Sequence, residues 1–253
     1  MFALFWGGRC FPTPPPPPRL TVFTCTPDFA TQKFLALKQR KAREAGIAIS
    51  VVEFDGEATT PEIITSIHAA HHTSDGIIVQ LPFPSRIPID DIITAVAPSH
   101  DIDCMTYDGT PTDCLPPVVG AINEIANRHK IVWKDAKVVI VGRGRLVGLP
   151  SAIFAQARGA NVTIVDKGTL DITSHLKEAD IIISGAGAPH VITPDMVSKG
   201  AVVFDAGTSE DGGELVGDVH PDVADIASIF TPVPGGIGPI TIAVLLRNII
   251  TPL

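Results

Sequence analysis

The stretch Asp75–Pro84 reads DGIIVQLPFP, and its punctuation decides the fold class. An aspartate and a glycine open a short apolar run, Ile77-Ile78-Val79, which stops abruptly at Gln80 and a proline-spaced turn. Such a run bounded by turn signals reads as a strand buried on both faces, the kind found in parallel sheets. Packing gives no reason for an amide at its carboxyl end. In open α/β sheets ligands sit at that end, so Gln80 is placed where chemistry is expected.

Working outward, Leu20–Cys25 is β-branched and aromatic and reads as a strand. Pro27-Asp28 supplies a turn and an N-cap for a helix running to about Ala45, which Gly46 stops before the strand Ile47–Phe54. Thr60-Pro61-Glu62 predicts another helix start, with Thr60 as cap and proline in the first turn. Strands alternating with helices predict a mostly parallel sheet covered on both faces. After Asp113-Cys114-Leu115-Pro116-Pro117 a helix is expected near Val118–His129, and a second strand–helix series starts at Lys137. That marks a domain junction.

The second series carries a phosphate loop. The apolar strand Lys137–Val141 runs into Gly142-Arg143-Gly144-Arg145-Leu146-Val147-Gly148-Leu149-Pro150. Glycines let the backbone turn tightly and approach a pyrophosphate, whose charge is favoured at a helix N-terminus. The spacing is GxGxxxG, one residue longer than the usual dinucleotide fingerprint. The next strand, Asn161–Val165, ends in Asp166, about where an acid reads the ribose. Asp166 favours NAD, because a carboxylate accepts from both ribose hydroxyls and repels a 2′-phosphate. Arg143 and Lys167 favour NADP, because they can pair with that phosphate. Strands at Asp180–Ser184 and Val202–Asp205 lead into Gly185-Ala186-Gly187-Ala188-Pro189 and Ala206-Gly207-Thr208. Small residues there let backbone lie against a flat nicotinamide ring.

Composition excludes several classes. With 253 residues, 45% hydrophobic and 18% charged, the chain is globular and long enough for one large or two small domains. A formal net charge of -8 argues against nonspecific nucleic-acid binding. The cysteines, Cys10, Cys25, Cys104 and Cys114, have no CxxC spacing and no histidines at metal-site intervals. Free thiols in a reducing cytoplasm, and no metal, are the expectation. No apolar run is long enough to span a bilayer, so no membrane partner is expected. Residues 1–18 combine an apolar start with FPTPPPPP, too short and too poorly flanked for a signal peptide. They read as an atypical extension or a truncated start.

A second peculiar stretch, TPVPGGIGPIT from Thr231 to Thr241, completes the pattern. Together with DGIIVQLPFP it resembles the bifunctional methylenetetrahydrofolate dehydrogenase/cyclohydrolase family (FolD-type), whose segments are DG-apolar-VQLP-apolar-P and PVPGGVGP-apolar-T. The loop at Gly142 likewise resembles that family's GRSxxVGxP. Gly187 and Pro189 match its AVGxP, Asp205 and Gly207 its DVGIN, and Gly217-Asp218-Val219 its GDV, with Ser209 replacing an asparagine. The family's Y-apolar-x-x-K helix corresponds to Phe34-Leu35-Ala36-Leu37-Lys38, and its D-V-D-G to Asp101-Ile102-Asp103-Cys104. The resemblance covers about residues 20 to 250.

What the resemblance implies is specific. The fold would be α/β in two domains: a folate-binding domain at 19–117 plus 238–253, and a Rossmann-like domain at 118–237, with a C-terminal helix returning to the first. The enzyme would oxidise 5,10-methylenetetrahydrofolate to the 5,10-methenyl cation with NADP, NAD being the alternative, and hydrolyse that cation to 10-formyltetrahydrofolate. Lys38, Gln80 and Asp103 would be catalytic, Lys38 as the base that activates water, Gln80 bonding it, and Asp103 gripping the pterin. Phe34, Gly235, Gly236, Ile237 and Pro239 would meet the folate. Gly142, Arg143, Gly144, Gly148, Asp166, Lys167, Gly187, Pro189, Gly207 and Thr208 would meet the dinucleotide. Relatives of this kind are homodimers, so a homodimer is expected.

The sequence also departs from the family. Phe34 stands where relatives have tyrosine, Cys104 where they have glycine, and Asp166-Lys167 where they have His-Ser. The segment after Cys104 is shortened, and Leu115-Pro116-Pro117-Val118 stands in the region of the family's PCTP. These changes leave two alternatives, a monofunctional NAD-dependent dehydrogenase without cyclohydrolase activity and an inactive folate- or nucleotide-binding relative. A shikimate dehydrogenase relative is a third, which would not explain VQLPFP.

Overall fold

A computed structural model describes residues 5–6, 9–10, 16–27, 29–110 and 114–250 of the chain. Near the start, β1 (Phe5–Trp6) pairs antiparallel with β2 (Arg9–Cys10). The remainder of the 1–18 extension up to Pro15, and the expected cap Asp28, lie outside the described residues.

The first alternating series is β3 (Arg19–Cys25), α1 (Phe29–Glu44), β4 (Ala48–Phe54), α2 (Thr60–Ala70), β5 (Gly76–Val79) and α3 (Ile89–Thr94). Its strands pair in parallel in the order β4-β3-β5, with Val22 opposite both Val51 and Ile78. Side chains alternate across the pleat, so the sheet has two apolar faces. Leu20, Val22 and Ile78 meet Leu35 and Ala42 of α1 on one face. Phe23, Ile77 and Val79 meet Ile63 and Ile67 of α2 and Ile92 of α3 on the other. The cap of α2 is Thr59, not the expected Thr60. Glu62 reaches back one residue further, its Oε2 accepting the backbone N–H and the hydroxyl of Thr59, each at 2.7 Å.

The second series is α4 (Pro117–His129), β6 (Lys137–Val141), α5 (Gly148–Ala157), β7 (Asn161–Val165), α6 (Ile172–Lys177), β8 (Ile181–Ser184), β9 (Val202–Asp205), the antiparallel hairpin β10 (Ser209–Asp211) and β11 (Glu214–Val216), β12 (Ile229–Thr231) and α7 (Ile237–Asn248). Five parallel strands lie in the order β12-β9-β8-β6-β7. One face packs on α4 and α5 through Val119, Ile122, Ala152 and Phe154. The opposite face packs on α6 and the segments around Ile192, Val219 and Val223. Although it follows this sheet in the chain, α7 sends Ile242, Leu245 and Leu246 into the core of the first.

Both sheets change winding direction at a defined place. The chain leaves β3 for β4 on one side and β5 on the other, and leaves β6 for β7 on one side and β8 on the other. The crevices at the carboxyl ends of β3/β5 and β6/β8 are therefore the expected ligand positions. Lys38 and Gln80 belong to the first, Gly142 and Gly185 to the second.

Candidate active site

Lys38 lies in the middle of α1 on its inward face and is only 6% exposed. A buried ammonium must find acceptors. Its Nζ donates to Gln80 Oε1 at 2.9 Å, immediately beyond the end of β5. Gln80 is fixed at the other end of its amide, where Nε2 donates to the carbonyl of Leu81 at 3.1 Å. Its backbone N–H donates to Phe23 O at 2.8 Å, so the strand pairing carries through to the functional residue. The Phe34 ring, one helical turn before Lys38, has its centroid 4.9 Å from the ammonium. Phe34 is 39% exposed, leaving its ring available to a ligand.

Two carboxylates complete this cluster. Asp101 is tied to the same strand by a parallel bridge to Ile77, and its Oδ2 accepts the Met105 N–H at 2.8 Å. Burial pushes its carboxyl up to about 6, the charge of Asp103 adding to the effect. Asp103, half-buried, is likewise held above the ordinary carboxylate range by burial, with Lys38 pulling it back. Burial lowers Lys38, and Asp103 opposes that shift. Each desolvation favours the neutral form. Burial thus favours the uncharged form of each group, and their mutual attraction opposes it.

In the second crevice two glycines are demanded by contact. A Cβ on Gly142 would lie 2.6 Å from Gly185 O, and one on Gly148 would lie 2.1 Å from Gly142 O. Gly142, at φ +100°, hands the chain from β6 to the loop, and Gly148 opens α5. Arg143 and Gly144 between them are exposed. Arg143 Nε sits 3.5 Å from Asp166 Oδ2 at the end of β7. Asp166 Oδ1 also accepts the Gly168 N–H at 2.9 Å, while Lys167 is exposed. Arg145, not singled out from the sequence, reaches from this loop to an ion pair with Asp90 of α3.

Sequence reading missed what supports the remaining loops. Asp218, completely buried, accepts the Ser184 hydroxyl at 2.7 Å and the N–H groups of Ala186 and Ala188 at 2.7 and 2.9 Å. Asp205 accepts from Gly207 N, Asp218 N and Val219 N at 2.9, 3.2 and 2.9 Å. Burial raises Asp205 to about 6. Two carboxylates therefore fix the loops carrying Gly187, Pro189, Gly207 and Thr208. Of these, Gly187, Pro189 and Thr208 are exposed, whereas Gly207 is buried because a Cβ there would sit 2.1 Å from the Asp218 carboxyl. The turn before α7 closes through Gly236 N donating to Pro232 O at 2.7 Å, with Gly235 at φ +105°. Gly235 and Pro239 are exposed, but the Ile237 side chain is committed to the core of the second sheet.

Comparison with known proteins decides the family. Residues 13–103 match the tetrahydrofolate dehydrogenase/cyclohydrolase catalytic domain, and residues 116–253 match the NAD(P)-binding domain of the same enzymes. The chain belongs to the tetrahydrofolate dehydrogenase/cyclohydrolase family. It is 33% identical over 244 residues to the bifunctional protein FolD of Staphylococcus aureus strain JH9, covering 91% of this chain and 84% of that protein. The bifunctional FolD structure from Campylobacter jejuni superposes with a TM-score of 0.87 at 32% identity, covering 92% and 86% of the two chains. The FolD structure from Trypanosoma brucei, complexed with NADP cofactor and inhibitor, gives 0.85 at 30% identity, covering 92% and 85%. As a member of this family the chain is an enzyme of one-carbon metabolism, a methylenetetrahydrofolate dehydrogenase and methenyltetrahydrofolate cyclohydrolase.

Proposed function

We propose that Lys38, Gln80 and Asp103 carry the chemistry at one crevice, with NADP held by the loop from Gly142 to Gly148 at the other. The observation that carries this reading is the buried Lys38 amine held on Gln80 Oε1. The backbone cradle at Gly142 and Gly148, which any Cβ would fill, fits a pyrophosphate at the start of α5. Arg143 and Lys167 lie where a 2′-phosphate needs cations, and Gly187, Pro189, Gly207 and Thr208 line the nicotinamide side. When bound, the oxidised dinucleotide supplies the acceptor for the hydride that leaves the methylene carbon.

The protein's own residues do the rest. Asp103 grips the pterin edge, and Phe34 stacks on it without the hydroxyl bond a tyrosine would add. Gly235, Gly236 and Pro239 floor the space between folate and dinucleotide, and Ile237 anchors that floor from the core. Oxidation leaves a methenyl cation beside Lys38, whose neutral amine takes a proton as water oxygen bonds the methenyl carbon. The bond from that carbon to N5 then breaks, N5 takes a proton, and the hydroxyl proton leaves to solvent, so the formyl group stays on N10. Gln80 keeps the amine aimed, since its amide is pinned at both ends. The folate-binding unit comprises residues 19–117 and 238–253, and the dinucleotide unit 118–237. The enzyme works as a homodimer in the cytoplasm. The exposed Leu215 on the β10–β11 hairpin supports a partner surface.

Methenyl absorbance followed with NADP and then NAD, beside Lys38→Met, tests the reading. Formation of methenyl, followed by decay faster than in buffer and lost in the variant, is expected. Methenyl that only accumulates would leave a dehydrogenase alone, and no methenyl with either cofactor would leave a binding protein. Asp166 gives the NAD-dependent alternative its one specific support, because its pairing with Arg143 takes up a cation that a 2′-phosphate would use.

A further inference from the structure

The C-terminal residue of α7 does more than end a helix. Asn248 is only 1% exposed, yet it carries a primary amide with two N–H donors. Its Nδ2 donates to Ile102 O at 2.9 Å and to Leu115 O at 2.9 Å. Both donors are spent on the backbone of two distant segments, one just before Asp103 and the other just before the Pro116-Pro117 start of α4. Cys104 Sγ is a third neighbour of the same nitrogen, at 3.9 Å. Asn248 Oδ1 has no partner among the described residues. Turning the amide over would place that oxygen against two carbonyls, so the two donated bonds fix its orientation.

The turn it holds is strained at one residue. Cys104 sits at φ +50°, a left-handed conformation that costs a residue with a side chain energy on its own. Within the turn the Asp101 carboxylate accepts the Met105 N–H, and the bridge from Asp101 to Ile77 ties the start of the turn to β5. Asn248 adds a second tie, at the carbonyl immediately before Asp103. The other end of α7 starts at the Gly235-Gly236 turn, beside the floor of the cleft.

We propose that Asn248 is a positioning residue for folate binding, holding Asp103 in register with Lys38 through the Ile102 carbonyl. The proposal rests on the reading of Asp103 as the residue that grips the pterin. An Asn248→Leu substitution keeps the branched outline and removes both donors, and Asn248→Ser removes them without adding bulk. Steady-state kinetics of the full-length chain, varying methylenetetrahydrofolate and NADP separately, reads the effect, with thermal unfolding as a control for folding. In Asn248→Leu the KM for the folate rises about tenfold, as expected for a displaced hydrogen-bonding group, while that for NADP moves less than about twofold. Asn248→Ser shows the same folate-selective rise and serves as the deciding variant should the leucine protein not fold. Equal rises in both KM values, or an unchanged folate KM in a folded variant, overturn the proposal. Asp103→Asn separates the two layers. If it raises the folate KM and the Asn248 variants do not, the proposal alone fails; if it leaves that KM unchanged, the pterin reading fails and takes the proposal with it.

Discussion

The proposed base is a single buried amine. Lys38 lies below the ordinary lysine value of 10.5 because burial disfavours its charge more than Asp103 restores it. In the proposed role the base is the neutral amine, so hydrolysis of the methenyl cation should rise with pH through this lowered pKa and level off below pH 10.5. A methenyl decay rate, corrected for buffer, that stays flat across that range would remove Lys38 from the base role. Lys38→Arg makes the same point at fixed pH, because a guanidinium does not deprotonate. Decay should fall about 100-fold or more, the usual contribution of general base catalysis, with methenyl formation still observed. Cys104 offers a stability test at the same scale. Its left-handed backbone costs roughly 1–2 kcal/mol for a residue with a Cβ. Cys104→Gly should therefore unfold within about 1 kcal/mol of wild type, and Cys104→Val, β-branched at positive φ, should be less stable than the glycine variant by about 2 kcal/mol or more. Denaturant midpoints that order the two variants the other way would contradict the backbone argument.

Loops at strand ends are shaped by carboxylates buried elsewhere in the sequence. Asp218 holds the 184–188 segment by three accepted hydrogen bonds, and in Asp218→Asn an amide NH2 faces at least one backbone donor. An unpaired buried donor costs about 1–3 kcal/mol, and the loop it frees belongs to the dinucleotide side. Asp218→Asn should thus lower stability by that amount and raise the KM for NADP while leaving the folate KM nearly unchanged. A rise in the folate KM instead would assign this loop to the wrong ligand. Elements of this kind mark the limit of sequence reading. The strand ending at Gln80 and the glycine loop after β6 were legible because their signals are local: an apolar run with a polar end, and glycines where backbones touch. Asp218 was visible only as part of a GDV segment, since no spacing tells which N–H groups lie opposite a carboxylate 30 residues away. Similarly, α3 and α6 span six residues each and the β10–β11 strands three each, too short for periodicity to reveal. The Thr59 cap was displaced by one residue because both candidates are threonine, and only the reach of Glu62 chooses between them.

Across the whole molecule, alternation of strands and helices was enough to specify two parallel sheets, but not which helix covers which face. That assignment depends on contacts between residues more than 100 positions apart, and α7 is the clearest case. It follows the second sheet, yet Ile242, Leu245, Leu246 and the following Ile249 pack on Leu20, Val22, Ile78 and Ile102 of the first. Fully burying an aliphatic side chain contributes about 1.5–3 kcal/mol, so these four supply roughly 6–12 kcal/mol. That is comparable with the whole stability of a typical domain, about 5–15 kcal/mol. Removing residues 237–253 should therefore strip the cover that α7 shares with α1 on one face of the first sheet and abolish its folding, with Asp103 and Lys38 losing their relative positions. The single substitution Leu245→Ala is a milder version, since Leu245 is 2% exposed and truncating a buried leucine costs about 2–5 kcal/mol. Limited proteolysis of the truncated chain should cut the first series, 19–103, before the second, which loses Ile237 from its core but keeps α4, α5 and α6 over its faces. Protection of 19–103 equal to that in the intact chain would show that the first sheet stands without its C-terminal helix, and that α7 is a passenger on it.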